Sequence, residues 1–388
     1  MTNQFEAAPG TPDGIVDDQE ALEAADPGGM LRAVASAGAQ VRESLLHIEA
    51  DVLAEVSGDG RPRAVVVAGM GGSGIAADLV AALATRASAV PVVTHRGYRL
   101  PGWVGPMDLV VAVSCSGQTA ETVAVADEAL RRGARVVTVG RAGSPLAGRA
   151  ESGRAVHLPV DPGGRMPRAN LWALTVPVLL LADALGLVDA PRPVLSALAD
   201  RLDSISAACA PAAEAHGNPA KQLALDLLDT LPCAWGTGAV PSAVAYRFAC
   251  QLAENAKLPA VHGEVPEAHH NQVVALAGRF GALAPSADDD LFRDRVEDGP
   301  PPPRLRLVLF HDTDELPEVA RRRVGAGALA EEYGLGVSDV PATGEHPLER
   351  LASMVAPADF ASVYLALLQG VDPTPIEPIA ALKDRVQP

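Results

Sequence analysis

Aromatic residues are scarce: Phe, Trp and Tyr together make up 3% of the 388 residues. Ala, Val and Leu must therefore fill the interior, and an apolar fraction of 48% is enough to do so, which excludes a chain disordered throughout. Positive charge is also in short supply. Lys and Arg number 31 against 48 Asp and Glu, a formal charge of −17, so the average field repels DNA, RNA and anionic lipid surfaces. Neither nucleic acid nor membrane is expected as a partner. The four cysteines, Cys115, Cys209, Cys233 and Cys250, are too scattered for a CxxC metal pair or a dense disulfide scaffold. The opening segment is acidic and lacks the basic and apolar regions of a signal peptide. The most conspicuous apolar run, Leu171 to Ala182, stops at Asp183, is too short to cross a bilayer, and reads as a buried helix. A cytoplasmic protein with reduced thiols is the simplest expectation.

A length of 388 residues exceeds what one core usually serves, so two domains are expected. Residues 1–15 read as a mobile start, 16–190 as a helical lead-in and first domain, and 191–388 as a second domain with C-terminal helices. The apolar spacing of Leu31, Val34, Val41, Leu45, Ile48 and Val52 predicts one helix over about residues 31–56. Val-rich runs at 64–69, 90–95, 108–114 and 134–140 read as strands, with helical sequence after the first and at 119–133. That alternation predicts α/β architecture with a mostly parallel sheet flanked by helices. After a linker at 186–194 the same style returns: a helix at 218–229, a strand at 233–238, a helix at 241–255, strands near 273–277 and 305–310, and a helix at 315–328. The charged, proline-rich stretch 285–306 reads as an exposed connection.

Two segments carry candidate chemistry. In "VVVAGMGGSGIAAD", Gly69, Gly71, Gly72 and Gly74 surround Ser73 between a strand and a helix. Glycines let the backbone approach an anion, and the free N–H groups of a helix start can hold phosphate oxygens. The competing readings are a turn used only for packing and a dinucleotide fingerprint. The latter is the weaker, because the next strand ends in His95 and Arg96 rather than an acid for the ribose. In "VAVSCSGQTAET", Ser114, Ser116 and Thr119 mark a second strand end and helix start. Two such turns from neighbouring strands could converge on one phosphate, whereas the plainer reading has Ser116 or Thr119 merely capping a helix.

In these residues the chain resembles the sugar isomerase (SIS) domain superfamily, and the closing "GVDPTPIEPIAALK" narrows the resemblance to the bifunctional phosphoglucose/phosphomannose isomerase family over roughly residues 35–388. The resemblance implies two SIS-type domains and assigns phosphate binding to Gly72, Ser73, Ser114, Ser116 and Thr119. Gln118 departs from the Asn common in the family. "GGRMPRANLW" is similar to the segment that sets an arginine beside the substrate, here Arg168, with Arg165 as a possible substitute. "QLAENAKLPAVHGEVPEAHHNQVV" resembles the catalytic region, placing the family's glutamate on Glu254, its histidine on His270 and its late lysine on Lys383. Without the resemblance, Glu254, Lys257, Glu264 and Lys383 read as ordinary surface charges, and His269 or His270 as a structural histidine.

The implied activity interconverts glucose 6-phosphate or mannose 6-phosphate with fructose 6-phosphate through a cis-enediol. Glu254 would be the C1/C2 base, while His270 and Lys383 would serve ring opening and charge stabilisation. The resemblance also implies a homodimer with shared active sites, hexose 6-phosphate as ligand, and neither metal nor other cofactor. The nine histidines show no HxH or HExxH spacing, though a metal site assembled from distant residues stays open. The rival from another class is a phosphosugar-binding regulatory or sensor protein with little turnover.

Overall fold

The computed structural model describes residues 15–153, 155–284 and 302–386. The start expected to be mobile, apart from Ile15, and the expected connection at 285–306 through residue 301 lie outside the described residues. The chain divides into two compact units. One comprises Arg32–Ile205 with His346–Ala352; the other comprises Met1–Leu31, Ser206–Glu345 and Ser353–Pro388.

Helical sequence opens the described chain as α1 (Gln19–Ala25), α2 (Met30–Ala35), α3 (Ala37–His47) and α4 (Ala50–Gly58). The single helix expected over 31–56 is thus broken twice. At the first break the Ser36 hydroxyl donates back to the Ala33 carbonyl at 2.7 Å. At the second, Ile48 is extended (φ −100°, ψ 110°), and the Arg192 guanidinium donates to the carbonyls of Leu45 and Ile48. A distant arginine satisfies orphaned carbonyls there, and the helix ends although its apolar spacing continues.

The Val-rich runs form the parallel strands β1 (Val65–Gly69), β2 (Val92–His95), β3 (Leu109–Ser114) and β4 (Arg135–Gly140). A further strand, β5 (Val156–Pro159), completes the order β2-β1-β3-β4-β5. Every residue of β1 and β3 is buried, as expected for strands covered on both faces. The covering helices include α5 (Gly72–Ala87), α6 (Ala120–Arg131), α7 (Pro145–Gly153) and α8 (Leu171–Ala184), and α9 (Arg192–Ala208) follows them. Residues Leu171–Ala182 of α8 are all buried, in agreement with the sequence reading.

The rest of the chain repeats the style with α10 (Pro219–Leu227), β6 (Thr230–Thr237), α11 (Ala239–Gln251), β7 (Val261–Val265), β8 (Arg304–His311), α12 (Pro317–Glu332), β9 (Gly336–Pro341), α13 (Pro347–Leu368) and α14 (Glu377–Val386). Its four strands are parallel in the order β7-β6-β8-β9. Both sheets therefore start with the second strand outside the first and then continue past it. The strand expected near 273–277 is instead a 3-10 helix, Gln272–Ala277. The Asn271 side chain accepts the Gln272 N–H at 2.6 Å, and the Gln272 amide is held between Trp235 Nε1 and the His262 carbonyl. These local bonds wind the segment, leaving Val273 against the core and Val274 in solvent. Helix α13 is long and apolar enough to cross a membrane by length and composition, yet 94% of its apolar window is buried, as in a core helix.

Candidate active site

In an open parallel sheet, ligands bind outside the carboxyl ends of the strands where the strand order reverses. In the first sheet that point lies between β1 and β3, and the two glycine- and hydroxyl-bearing turns leave from those two strands. After β1 the chain turns through Gly71, whose φ of +53° suits glycine, into α5, which has no side-chain cap. After β3 it turns through Gly117 at φ +67°, where a β-carbon would stand 2.0 Å from Ser144 Oγ. The second turn thus requires glycine for both conformation and space.

The structure ties the turns together. The Cys115 N–H donates to Ser73 Oγ at 3.3 Å, and the hydroxyls of Ser114 and Thr119 share a hydrogen bond at 2.9 Å. Ser114 Oγ also accepts the Gly117 N–H at 3.1 Å. Ser73 and Ser114 are buried, Thr119 is half-buried, and Ser116 and Gln118 are exposed at the rim. Thr119 occupies the N-cap position of α6 without its side chain capping the helix, and Ser116 Oγ accepts from Gln118 N rather than from the helix. Helix capping therefore does not account for these hydroxyls. The assembly offers oriented neutral donors and two helix starts, an arrangement suited to a small anion.

Arg168 sits on a 3-10 turn, Pro167–Ala169, and is buried at 2% exposure. The turn packs on the start of α5: a β-carbon on Gly72 would stand 3.2 Å from the Pro167 carbonyl oxygen and 3.6 Å from Arg168 Cα. Arg165 donates Nε to Asn170 Oδ1 at 2.9 Å and Nη2 to the Asp161 carbonyl at 3.2 Å. Burial pushes the Cys115 thiol pKa up, opposed by the charges of Arg141 and Arg165.

Glu254 belongs to the other unit, on a single π-helical turn, Leu252–Ala256, that follows α11. Such turns shift the register of what they carry, and side-chain bonds hold this one. Asn255 Nδ2 donates to Ser362 Oγ at 2.9 Å; Lys257, at φ +55°, reaches back to the Glu254 carbonyl at 2.8 Å and also donates to the Pro373 carbonyl at 3.3 Å. Upstream on α11, Arg247 pairs with buried Asp359 through bonds of 2.8 and 2.7 Å, and Gln251 adds a third donor at 3.4 Å. Desolvation raises the Asp359 pKa against this pairing. The positions 247, 251 and 255 form a polar row at helical spacing, a signal present in the sequence that the family resemblance does not mark.

The two adjacent histidines part company. His269 is half-buried with its ring 5.3 Å from that of Trp235, and burial lowers its pKa. His270 is exposed on the 3-10 helix Glu267–His270. Lys383 lies on α14, none of whose residues is buried. Among the described residues, no group of three or more His, Cys, Asp or Glu is placed to hold a metal ion, and none of the four cysteines forms a disulfide.

The profile of the bacterial phospho-glucose isomerase C-terminal SIS domain matches residues 216–386, and that of the SIS domain matches residues 61–185. A bifunctional phosphoglucose/phosphomannose isomerase of Caldicellulosiruptor bescii is 30% identical over 322 residues, covering 83% of this chain and 89% of that protein. A hypothetical protein of Thermus thermophilus matches with a TM-score of 0.67 at 19% identity, over 98% of each chain. The C-terminal domain of a Francisella tularensis glucosamine-fructose-6-phosphate aminotransferase matches with a TM-score of 0.63 at 15% identity, over 89% of this chain and 98% of that one. The two structural likenesses concern the fold alone.

Proposed function

Since the chain belongs to the bifunctional phosphoglucose/phosphomannose isomerase family, whose general activity is phosphosugar isomerisation, we propose that it interconverts glucose 6-phosphate or mannose 6-phosphate with fructose 6-phosphate. The observation that carries this reading is the hydrogen-bonded pair of turns at Ser73 and Ser114–Thr119, whose hydroxyls and helix starts suit a phosphate. In this reading Gly72, Ser73, Ser114, Ser116 and Thr119 hold the phosphate and Arg168 lies beside the sugar.

The chemistry has two parts. Ring opening breaks the bond between C1 and the ring oxygen, with a proton delivered to that oxygen and another leaving the C1 hydroxyl. His270 and Lys383 serve this step. Glu254 then takes the proton from C2 while O1 gains one, giving the cis-enediol; returning its proton to C1 while O2 loses one completes the ketose. A homodimer accords with the exposure of His270 and with the apolar row Ile379, Leu382 and Val386 on α14, each at least 40% exposed, which a second copy of the chain would cover.

Incubating the purified protein with each hexose 6-phosphate and following product formation tests the proposal, with free sugars as controls. Conversion of at least one 6-phosphate and of no free sugar is expected. Phosphate-dependent binding without turnover would instead assign the chain to the sensor class.

A further inference from the structure

We infer that Arg141 is a further substrate-positioning residue, whose guanidinium closes on the phosphate of a sugar bound at the Ser114–Thr119 turn. The inference deepens the function proposed above and rests on it.

Strand β4 ends at Gly140, which pairs in register with Ser114, the last residue of β3. Arg141 therefore leaves the sheet at its carboxyl edge, level with Cys115 and Ser116. Its carbonyl oxygen lies 3.6 Å from where a β-carbon on Gly117 would stand, so its backbone lines the turn. The side chain's charge is felt inside the turn as well, since Arg141 and Arg165 both act on the Cys115 thiol.

These two cations differ in what else they do. Arg165 is engaged by Asn170, by the Asp161 carbonyl and by Glu43, and its side chain is 14% exposed. Arg141 is exposed and makes no hydrogen bond or ion pair with any described residue. A solvated surface arginine would fit that description too, but not the placement beside a turn whose hydroxyls and N–H groups are all neutral. A phosphomonoester brings close to two negative charges at neutral pH into a protein whose own charge is −17. Guanidinium is the side chain best matched to phosphate, because its fork offers two parallel N–H donors.

The test compares Arg141→Ala, Arg141→Lys and the double variant Ser116→Ala/Thr119→Ala, each checked for folding by circular dichroism. The readouts are calorimetric titration with inorganic phosphate and steady-state kinetics on the hexose 6-phosphates. Arg141→Ala is expected to weaken phosphate binding about tenfold and to raise KM by a similar factor, with the loss in KM exceeding that in kcat. Arg141→Lys should restore only part of the affinity, since a point charge lacks the paired donors. If the loop double variant loses phosphate while Arg141→Ala binds it as the wild type does, the role of Arg141 is wrong and the site stands. If the double variant also binds normally, the phosphate site itself is misplaced. Full rescue by lysine, together with a loss in Arg141→Ala that disappears at high salt, would reduce Arg141 to a long-range field and overturn the contact.

Discussion

The Asn255 side-chain amide donates to the Ser362 hydroxyl at 2.9 Å in a buried setting, and Ser362 in turn donates to the Asp359 carbonyl at 2.7 Å. The residue before Asn255 is Glu254, so this short chain of bonds fixes the turn that carries the proposed base. Ser362→Ala would leave the Asn255 amide facing an apolar methyl. A loss of about 0.5–1.5 kcal/mol in stability is expected from the missing bond. If the bond also orients Glu254, kcat should fall by more than KM changes. Denaturant titration and steady-state kinetics on the same preparation separate the two effects, and a stability loss with unchanged kcat would make the bond purely structural.

Arg247 and Asp359 form a buried pair one helical stretch earlier, with side chains 3% and 9% exposed. Removing only the cation strands a carboxylate whose desolvation already raises its pKa. Arg247→Met should therefore destabilise by about 3–5 kcal/mol, whereas Arg247→Met/Asp359→Leu should recover much of that loss. Urea unfolding of both variants and of Asp359→Leu closes the cycle. Additive losses would show that the two groups are not energetically coupled.

Asp108, just before β3, has a pKa shifted the opposite way from that of Asp359 and gives a pH dependence. Arg63 pairs with both of its oxygens, at 2.9 and 2.6 Å, and the Gly105 N–H adds a bond at 2.8 Å, so its pKa is lowered. A carboxylate with a depressed folded-state pKa contributes stability that is present above its unfolded pKa, near 4, and lost as pH falls through the lower folded value. The stability gap between wild type and Asp108→Asn should hence be flat from neutral pH down to about 5 and narrow below about 4. Unfolding curves across that range check it; a gap independent of pH would mean that the charge of Asp108 contributes nothing.

Much of this was legible because of where the residues sit. The runs of β1 and β3 are buried on both faces, so their Val content survives as an unbroken signal. Strands β5, β7 and β9 lie at sheet edges, where half-exposed positions admit His157, Glu264 and Asp339 and erase the pattern. The second break in the expected 31–56 helix involves Arg192, more than a hundred residues away, and local periodicity cannot report it. The turns proposed to hold phosphate announced themselves through clustered Gly and Ser, whereas the roles proposed for Glu254, His270 and Lys383 rest only on family resemblance. Asp359 and Ser362 were hidden in a long apolar helix, because a buried polar group becomes interpretable only once its partner is known.

If the proposed active site takes Glu254 from one subunit and His270 from its partner, a sharp consequence follows. Glu254→Gln keeps the shape of the side chain but cannot take a proton, so it should abolish exchange of the substrate C2 hydrogen with solvent while still binding hexose 6-phosphate. His270→Ala, at an exposed position, should fold normally and be defective in opening the ring. When the two inactive proteins are refolded together, each mixed dimer has one site with both groups damaged and one with neither. Random reassortment of equal amounts makes about half the dimers mixed, so about a quarter of wild-type activity should return. Ring-opened substrate offers an internal control, because it bypasses the histidine and should be turned over by His270→Ala alone. Demonstrated heterodimers no more active than either parent would place Glu254 and His270 in the same chain's site, and near-normal C2 exchange in Glu254→Gln would move the base to another residue.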